Sequence, residues 1–255
     1  MKYMGSKSRI AKHITPILTR NLTQDRWYVE PFAGGMNMMC NIHHEKRIAG
    51  DLNNYLIAMW KYLVYHDFGD KFPRIISKET YSYWREIFNL NRFNGLGCTY
   101  AEAIIGWIGF MGSFNGRFFD GGYSGHDVNG RDYIGEQIQN TLSQVDKLKG
   151  VELWAVSYQD IVYPSRSVVY CDPPYKDTKQ YSVSKNFNHD EFWAWCRNMT
   201  FNGHDVIISE YDAPSDFVCI WEKLITNTMN THNTYKPTEK LFVHKIIANN
   251  YYHID

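Results

Sequence analysis

The stretch SVVYCDPPY, residues Ser167–Tyr175, decides how this chain is expected to fold. Its first half is a run of apolar β-formers, which predicts a short buried strand. Pro173 and Pro174 have no backbone N–H to donate to a sheet ladder, so the strand ends before them, at Asp172. Open α/β sheets bind ligands at the carboxyl ends of their strands, so this turn predicts a ligand site. It offers the Asp172 carboxylate, proline carbonyl oxygens and the aromatic ring of Tyr175.

Length and composition indicate a globular protein of one large or two small domains. The chain has 255 residues, and its 27 basic and 27 acidic side chains cancel. Net charge therefore does not indicate a nucleic-acid partner, which would need a local basic patch. No apolar run reaches the length of a membrane span and no signal peptide is recognised, so we expect a cytoplasmic protein with no membrane partner. The five cysteines form no CxxC pair, so we expect neither a zinc site nor a disulfide framework.

The first part of the chain has the layout of a cofactor-binding α/β unit. Trp27–Val29 predicts a strand, and the Gly-rich turn Glu30–Asn37 (EPFAGGMN) follows it. The next predicted strand, Ile48–Ala49, leads to Asp51, and an acidic residue in that place commonly binds ribose hydroxyls. There is no GxGxxG or GK[ST] phosphate loop, which disfavours dinucleotides and nucleoside triphosphates. An adenosine-bearing ligand without phosphates fits, and S-adenosylmethionine is one.

The N-terminal segment MKYMGSKSRIAKHI contains the densest basic cluster of the chain, directly before a predicted helix. Lysines near a helix N-terminus oppose the helix macrodipole, so this placement costs stability. The segment is either a solvated helix start or a turn that meets an anionic or carboxylate ligand.

Residues 65–148 have a different texture, in which helical patches alternate with loops rich in Gly and Asn. The loop Gly112–Asp132 carries aromatic residues together with Asn115, Arg117 and Arg131, and so long a loop is usually functional. Arginine and asparagine suit contacts with base edges and phosphates, and aromatic rings suit stacking or wedging. The alternative is an Ω-loop packed on itself.

The α/β texture resumes towards the end of the chain. Asn188, with Glu191 three residues later, predicts the start of a helix with an apolar, aromatic stripe. Asp160 follows a predicted strand, beside the region where the adenine ring of a cofactor would lie. Further helices are predicted at Leu52–Leu63 and Gly135–Leu148, and further strands at Leu153–Val156, Val206–Ser209 and, near a sheet edge, Glu239–Val243.

In this order, the segments KYMGSK, EPFAGG, GD, VYCDPPY, SEY and TEKLFV resemble the Dam-type (D12 class) DNA adenine-N6 methyltransferases of bacteria and their phages. The resemblance covers nearly the whole chain and is weakest in the middle. It implies a Rossmann-like, doubly wound α/β sheet of seven strands, one of them antiparallel. It also implies a catalytic domain at 1–62 and 149–255, with an inserted, mainly helical target-recognition region at 63–148. S-adenosylmethionine is the implied methyl donor and double-stranded DNA the implied partner of a monomer or weak dimer.

The resemblance also implies roles for individual residues. The catalytic motif would be Asp172, Pro173, Pro174 and Tyr175, with Asp172 also contacting the cofactor. The other cofactor-binding residues would be Tyr3, Lys7, Pro31, Phe32, Gly34, Gly35, Asp51, Asp160 and Ile161. Asn115, Arg117 and Arg131 are candidate DNA contacts, and we expect no metal.

The implied chemistry makes specific demands on the turn at Asp172. The lone pair of the adenine amine is delocalised into the ring, so the Asp172 carboxylate and the Pro173 carbonyl would accept its hydrogens and free that pair. The base would have to leave the duplex, at a cost of a few kcal/mol, and Tyr175 would stack on it.

Two alternatives to this function stay open. A turn of this kind can also present an amine of cytosine, RNA adenine or protein glutamine to a methyl donor. A non-catalytic DNA-binding module on the same scaffold is the second alternative.

Overall fold

A computed structural model describes residues 1–66, 71–90, 97–125, 130–176, 187–224 and 238–251 of the chain. The described strands are β1 (Tyr28–Glu30), β2 (Arg47–Gly50), β3 (Glu152–Trp154), β4 (Val168–Cys171), β5 (Asp205–Glu210), β6 (Phe217–Leu224) and β7 (Thr238–His244). The helices are α1 (Ala11–Leu18), α2 (Asn54–Tyr65), α3 (Lys78–Asn89), α4 (Tyr100–Gly112), α5 (Tyr133–Leu148) and α6 (His189–Phe201). Short 3-10 turns lie at Lys7–Arg9, Met39–Asn41, Phe114–Gly116 and Lys245–Asn250.

The strands form one sheet in the order β3-β2-β1-β4-β5-β7-β6. Strands β1 to β5 pair in parallel, and β7 runs antiparallel to both of its neighbours. This confirms the predicted α/β sheet of seven strands with one antiparallel member. The strand order reverses between β1 and β4, and a crevice at the carboxyl ends of such a pair is where open α/β sheets bind ligands.

Along the central strands, successive side chains are buried on opposite faces of the sheet. In β4, Val168 and Tyr170 join the core formed with α1, α2, α4 and α5, while Val169 and Cys171 join the core formed with α6. Strands covered on both faces read as continuous apolar runs, as this one does. Helices α4 and α5 belong to the segment 63–148 but share their core with α1 and α2. The role of this segment in target recognition stays a prediction.

Side-chain caps fix the starts of the helices near the site. Asn188 accepts the N–H of Glu191, as the sequence predicts for α6. The Glu191 side chain is occupied elsewhere, because its Oε1 accepts a hydrogen bond from Gln159 at 2.7 Å. Thr99 and Glu102 form the complete reciprocal cap of α4. The contact between Gln159 and Glu191 anchors α6 next to the turn that follows β3.

The loop after α4 folds back on itself over residues 113–125. A β-bridge joins Ser113 to Tyr123, and the hydroxyl of Ser113 accepts the N–H of Phe119 at 2.8 Å. Phe118 and Phe119 pack inwards against Phe110 and neighbouring rings rather than projecting for stacking or wedging. Over these residues the loop matches the self-packed alternative; residues 126–129 lie outside the described residues.

Candidate active site

A cavity of about 780 Å³ lies at the carboxyl ends of β1 and β4. This is the crevice at the strand-order reversal, and its volume is within the range of about 300–1,000 Å³ that small-molecule sites occupy. Its walls come largely from the segments that follow the five parallel strands β1 to β5, together with the N-terminal turn and the start of β7. These include Tyr3–Lys7, Glu30–Gly35, Asp51–Asn53, Ser157–Gln159, Asp172–Tyr175, Tyr211 and Glu239.

Asp172 points into this cavity and is paired with Lys7. The Lys7 Nζ lies 2.9 Å from Asp172 Oδ1, and it also donates to the Gly5 carbonyl at 3.1 Å. Burial opposes the charge of Lys7, but Asp172 and Glu239 outweigh it and raise the pKa of the ammonium. Burial raises the pKa of Asp172, and Lys7 partly offsets that rise. Lys7 of the N-terminal basic cluster is therefore buried against a carboxylate of the protein itself. That this turn also meets an anionic or carboxylate ligand stays a prediction.

Tyr175 is fixed by three contacts at the end of the same turn. Its hydroxyl donates to Glu239 Oε2 at 2.8 Å, and the Lys7 Nζ lies 4.6 Å from its ring centroid. The ring of Tyr211 meets it at a centroid distance of 4.6 Å and an interplanar angle of 83°. Only 8% of Tyr175 is exposed. Stacking on an extruded base stays a prediction, and in this structure the Tyr175 ring packs against Lys7 and Tyr211.

The glycine turn after β1 is held by Asp51 and covered by Tyr3. Asp51 accepts the N–H of Gly34 at 3.0 Å and that of Asn53 at 2.9 Å, and burial raises its pKa. A Cβ on Gly34 would lie 2.7 Å from the Tyr3 ring, and one on Gly35 would lie 2.7 Å from the Tyr3 Cβ. Gly34 also has a φ of +47°, which favours glycine. Both glycines are therefore needed for the N-terminal segment to pack against this turn.

The N-terminal segment also contacts the segment 63–148. The backbone N–H of Lys2 donates to Gln137 Oε1 at 2.7 Å, and the Lys2 carbonyl accepts from Gln137 Nε2 at 2.9 Å. Gly116 packs directly against the N-terminal segment, because a Cβ at this position would lie 2.2 Å from the Lys2 carbonyl oxygen. Gln144 Nε2 donates to the Gly35 carbonyl at 3.2 Å. Gly116 of the candidate DNA-contacting loop and two residues of α5 are thus tied to the N-terminal segment and to the glycine turn after β1.

Two predicted cofactor residues lie outside the cavity lining of the described chain. Asp160 is exposed, and Ile161 is buried in the core with its side chain against Gly50. A tight turn, in which the Asp160 N–H donates to the Ser157 carbonyl, carries Asp160 away from the cavity. The residues just before them, Ser157–Gln159, line the cavity instead.

Aromatic rings form the cavity wall beside Ser157–Gln159. The Phe32 ring lies 5.3 Å from Tyr158 and 5.8 Å from Phe187, measured between centroids. Pro31 precedes Phe32 in the lining, so both of these predicted residues face the cavity. An apolar planar group would fit against such a wall.

The three candidate DNA contacts lie outside the described cavity lining. Arg131 forms a two-pronged ion pair with Glu136 at 2.6 and 2.9 Å, and its side chain is 56% exposed. Arg117 and Asn115 are half-buried in the folded loop, where Asn115 has a φ of +55°. Direct DNA contact by these residues stays a prediction.

Several residues at or beside the cavity were absent from the predicted set, among them four around the Asp172–Tyr175 turn. Glu30 accepts the Tyr28 hydroxyl at 2.8 Å, and burial raises the pKa of Glu30 to about 8. Glu210 accepts two backbone N–H groups, those of Lys176 and Tyr211, and burial raises its pKa to about 7. Tyr211 and Glu239 complete the set. Glu30 and Glu210 end buried strands, a signal that sequence reasoning could have used; Glu239 carries no local signal.

The cavity is acidic. Among the described residues that line it, six carry a carboxyl group and Lys7 alone is basic. The acidic residues are Glu30, Asp51, Asp120, Asp172, Glu191 and Glu239. Such a lining suits a cationic or neutral ligand better than a polyphosphate.

Within the described ranges, no group of three or more His, Cys, Asp and Glu side chains is arranged to hold a metal ion. In the same ranges, none of the helices has the length and apolar character needed to cross a membrane.

The comparison with protein families gives one match, and it covers residues 3–236. The matching family is described as D12 class N6 adenine-specific DNA methyltransferase. A comparison with curated proteins found no match. The family match spans most of the chain and includes both the glycine turn after β1 and the Asp172–Tyr175 turn after β4. The chain therefore belongs to the D12 class of N6 adenine-specific DNA methyltransferases.

Proposed function

We propose that this protein transfers a methyl group from S-adenosylmethionine to the N6 amine of an extruded adenine in double-stranded DNA. The observation that carries the proposal is the Asp172 carboxylate, held inside the cavity by a two-proline turn at the end of β4. A carboxylate fixed in this way is an acceptor already aimed at a reacting amine. Family membership supplies the reaction class, and the geometry supplies the group that would perform it.

The residues present fit S-adenosylmethionine. The acidic lining suits a ligand with sulfonium and ammonium charges, and the wall formed by Phe32 and Tyr158 suits an adenine ring. Asp51 stands at the end of β2, the usual place of a ribose-binding acid. When bound, the cofactor supplies an activated methyl group.

Asp172 and Pro173 would prepare the target amine. The carboxylate and the proline carbonyl would each accept a hydrogen bond from the amine, drawing its nitrogen towards tetrahedral geometry and freeing its lone pair. The proline ring limits backbone rotation, so little reorganisation is needed at the moment of reaction. After transfer the nitrogen sheds one proton, to Asp172 or to water.

Lys7 would keep Asp172 in its acceptor form. Burial pushes a carboxyl in this cavity towards its neutral form. A protonated Asp172 would be a weaker acceptor for the amine hydrogen and could not take up the proton that the amine sheds. The ammonium 2.9 Å away opposes this shift. The target amine would then meet a carboxylate that Lys7 has held in its ionised form.

The other two functions differ from this one in their products. A methyltransferase acting on cytosine, RNA or protein would use the same turn, and a DNA-binding module would leave no product at all. The test is incubation of the protein with methyl-labelled S-adenosylmethionine and unmethylated genomic DNA, followed by nucleoside analysis. We expect the label in N6-methyladenine. Label in a cytosine nucleoside, or none in DNA while RNA or protein is labelled, would overturn the proposal.

A further inference from the structure

Glu239 closes a ring of contacts around the proposed reaction centre. Its Oε2 accepts the Tyr175 hydroxyl at 2.8 Å and lies 3.7 Å from the Lys7 Nζ. Its side chain is only 12% exposed, although glutamate is rarely buried without a partner. The family match covers residues 3–236, and the resemblance of the TEKLFV segment, which contains Glu239, to the family implies no role for this residue.

The antiparallel strand β7 brings Glu239 to this position. Thr238 begins β7, and Glu239 is its second residue, paired in register with Lys223 of β6. The adjacent pair, Lys240 with Glu210, places the end of β5 beside it. A strand fixed on both sides is a rigid platform for a side chain that reaches a turn on another strand.

Lys7 lies between two carboxylates, those of Asp172 and Glu239, which would have different roles. Its Nζ is 2.9 Å from Asp172 and 3.7 Å from Glu239, and the same ammonium lies 4.6 Å from the centroid of the Tyr175 ring. The nearer carboxylate is the one that the target amine would need. When Asp172 turns to the amine, Lys7 requires another anion close by, because an unpaired buried charge is strongly unfavourable.

We propose that Glu239 is a positioning residue for methyl transfer: it anchors the Tyr175 hydroxyl and receives Lys7 when Asp172 accepts the target amine. Both tasks fall to one carboxylate, whose Oε2 accepts the Tyr175 hydroxyl and lies nearest to the Lys7 ammonium. The anchor fixes the plane of the ring on which the base would stack. Receiving Lys7 lowers the free-energy cost of releasing Asp172 from its ion pair with Lys7. This inference rests on the proposed function and adds a residue that acts through Tyr175 and Lys7.

Glu239→Ala and Glu239→Gln separate the two tasks. Alanine removes the anchor and the charge, whereas the glutamine amide oxygen still accepts the Tyr175 hydroxyl but gives Lys7 no anion. We expect the kcat for DNA methylation to fall about 100-fold in Glu239→Ala, the scale of a misplaced reacting group, and less in Glu239→Gln. We expect the affinity for S-adenosylmethionine, measured by calorimetry, to fall by a smaller factor than kcat, because Glu239 is not itself among the residues expected to bind the cofactor.

The pH profile gives a readout that a purely structural role would not move. Glu239 raises the pKa of Asp172, so removing its charge lowers that pKa and moves the acid limb of kcat to lower pH in both variants. The ionisable groups facing Asp172 are Lys7, Glu30, Tyr170, Tyr175, Glu210 and Glu239. The other five are unchanged in these variants.

The matched control is Glu222→Gln, an exposed glutamate on the neighbouring strand β6, which should leave kcat and the acid limb as in the wild type. A Glu239→Gln enzyme with wild-type kcat and an unmoved acid limb would overturn the inference, and this variant keeps the test valid if alanine prevents folding. A wild-type protein that methylates no DNA would instead overturn the proposed function itself.

Discussion

Lys7 and Asp172 form a buried ion pair, 2.9 Å between Nζ and Oδ1, that joins the N-terminal segment to the carboxyl end of β4. The pair brings together two parts of the chain that are remote in sequence. It also sets the charge state of the carboxylate on which the proposed chemistry depends, since burial alone would favour the neutral acid. Ion pairs of this kind hold a functional group in one state as much as they add stability.

Replacing Lys7 should move the pH dependence of the reaction. In Lys7→Met the ammonium that lowers the pKa of Asp172 is gone, so that pKa rises further and the acid limb of kcat shifts to higher pH. Rate measurements across the acid range check this. Lys12→Met, an exposed lysine of α1, is the control. An acid limb in the same place for both variants would show that Lys7 does not tune Asp172.

Asp51→Ala should weaken binding of the proposed cofactor by about tenfold or more, because the variant loses the acid at the tip of β2 and the support of the Gly34 N–H. The maximal rate at saturating cofactor should fall less. Calorimetry with S-adenosylmethionine gives the affinity. Asp160→Ala is the control, because Asp160 is exposed and outside the lining of the described cavity. Equal affinities for the Asp51 variant and the wild type would remove Asp51 from cofactor binding.

Gly116→Ala should destabilise the fold more than Gly122→Ala. Both glycines have positive φ, +66° and +74°, so alanine costs about 1–2 kcal/mol at either position. At Gly116 the new Cβ would also meet the Lys2 carbonyl oxygen at 2.2 Å, whereas at Gly122 nothing lies within 4 Å. Overpacking against backbone adds about 1–3 kcal/mol. Denaturant unfolding of both variants measures the difference, and equal stabilities would mean that Lys2 does not pack there.

Arg117→Gln should reduce the salt dependence of DNA binding if Arg117 contacts a phosphate, with the slope of log K against log salt falling by about one. Arg131→Gln should reduce it less, because Arg131 is already paired with Glu136 and would have to leave that partner. Binding titrations at several salt concentrations give the slopes. Arg166→Gln is the control, since Arg166 precedes β4 and lies at the amino end of that strand, whereas the cavity lies at its carboxyl end. A slope unchanged in both variants would exclude these arginines as phosphate contacts.

The parts of the fold that sequence predicted best are those fixed by local chemistry. The predicted strand before Asp172 ends where β4 ends, because an apolar run stops at two prolines that cannot pair. The cap at Asn188 is equally local, and it starts α6 where predicted. Strand β6 was missed: it is an edge strand, exposed along much of its length and irregular between Cys219 and Trp221, so its residues show no clear alternation. Strand β7 was expected near an edge of the sheet, and it lies next to the edge strand β6.

The parts of the site that sequence could not place depend on contacts between distant segments. Glu239 reaches the cavity because β7 runs antiparallel beside β5, and nothing in its neighbours along the chain indicates this. Asp160 was predicted at the cofactor because it follows a strand, but a tight turn directs it to solvent. Lys7 lines the cavity, and its role at the cofactor stays a prediction. Its pairing with Asp172 emerges only in three dimensions.

The most direct test of the central claim is single-turnover methylation of DNA by Asp172→Ala, with cofactor affinity measured on the same preparation. If the Asp172 carboxylate prepares the amine, the variant should bind S-adenosylmethionine about as well as the wild type. Its rate of N6-methyladenine formation should fall by at least about 100-fold, the scale of losing one preorganised polar group. A variant that binds the cofactor and methylates adenine at nearly the wild-type rate would contradict the account.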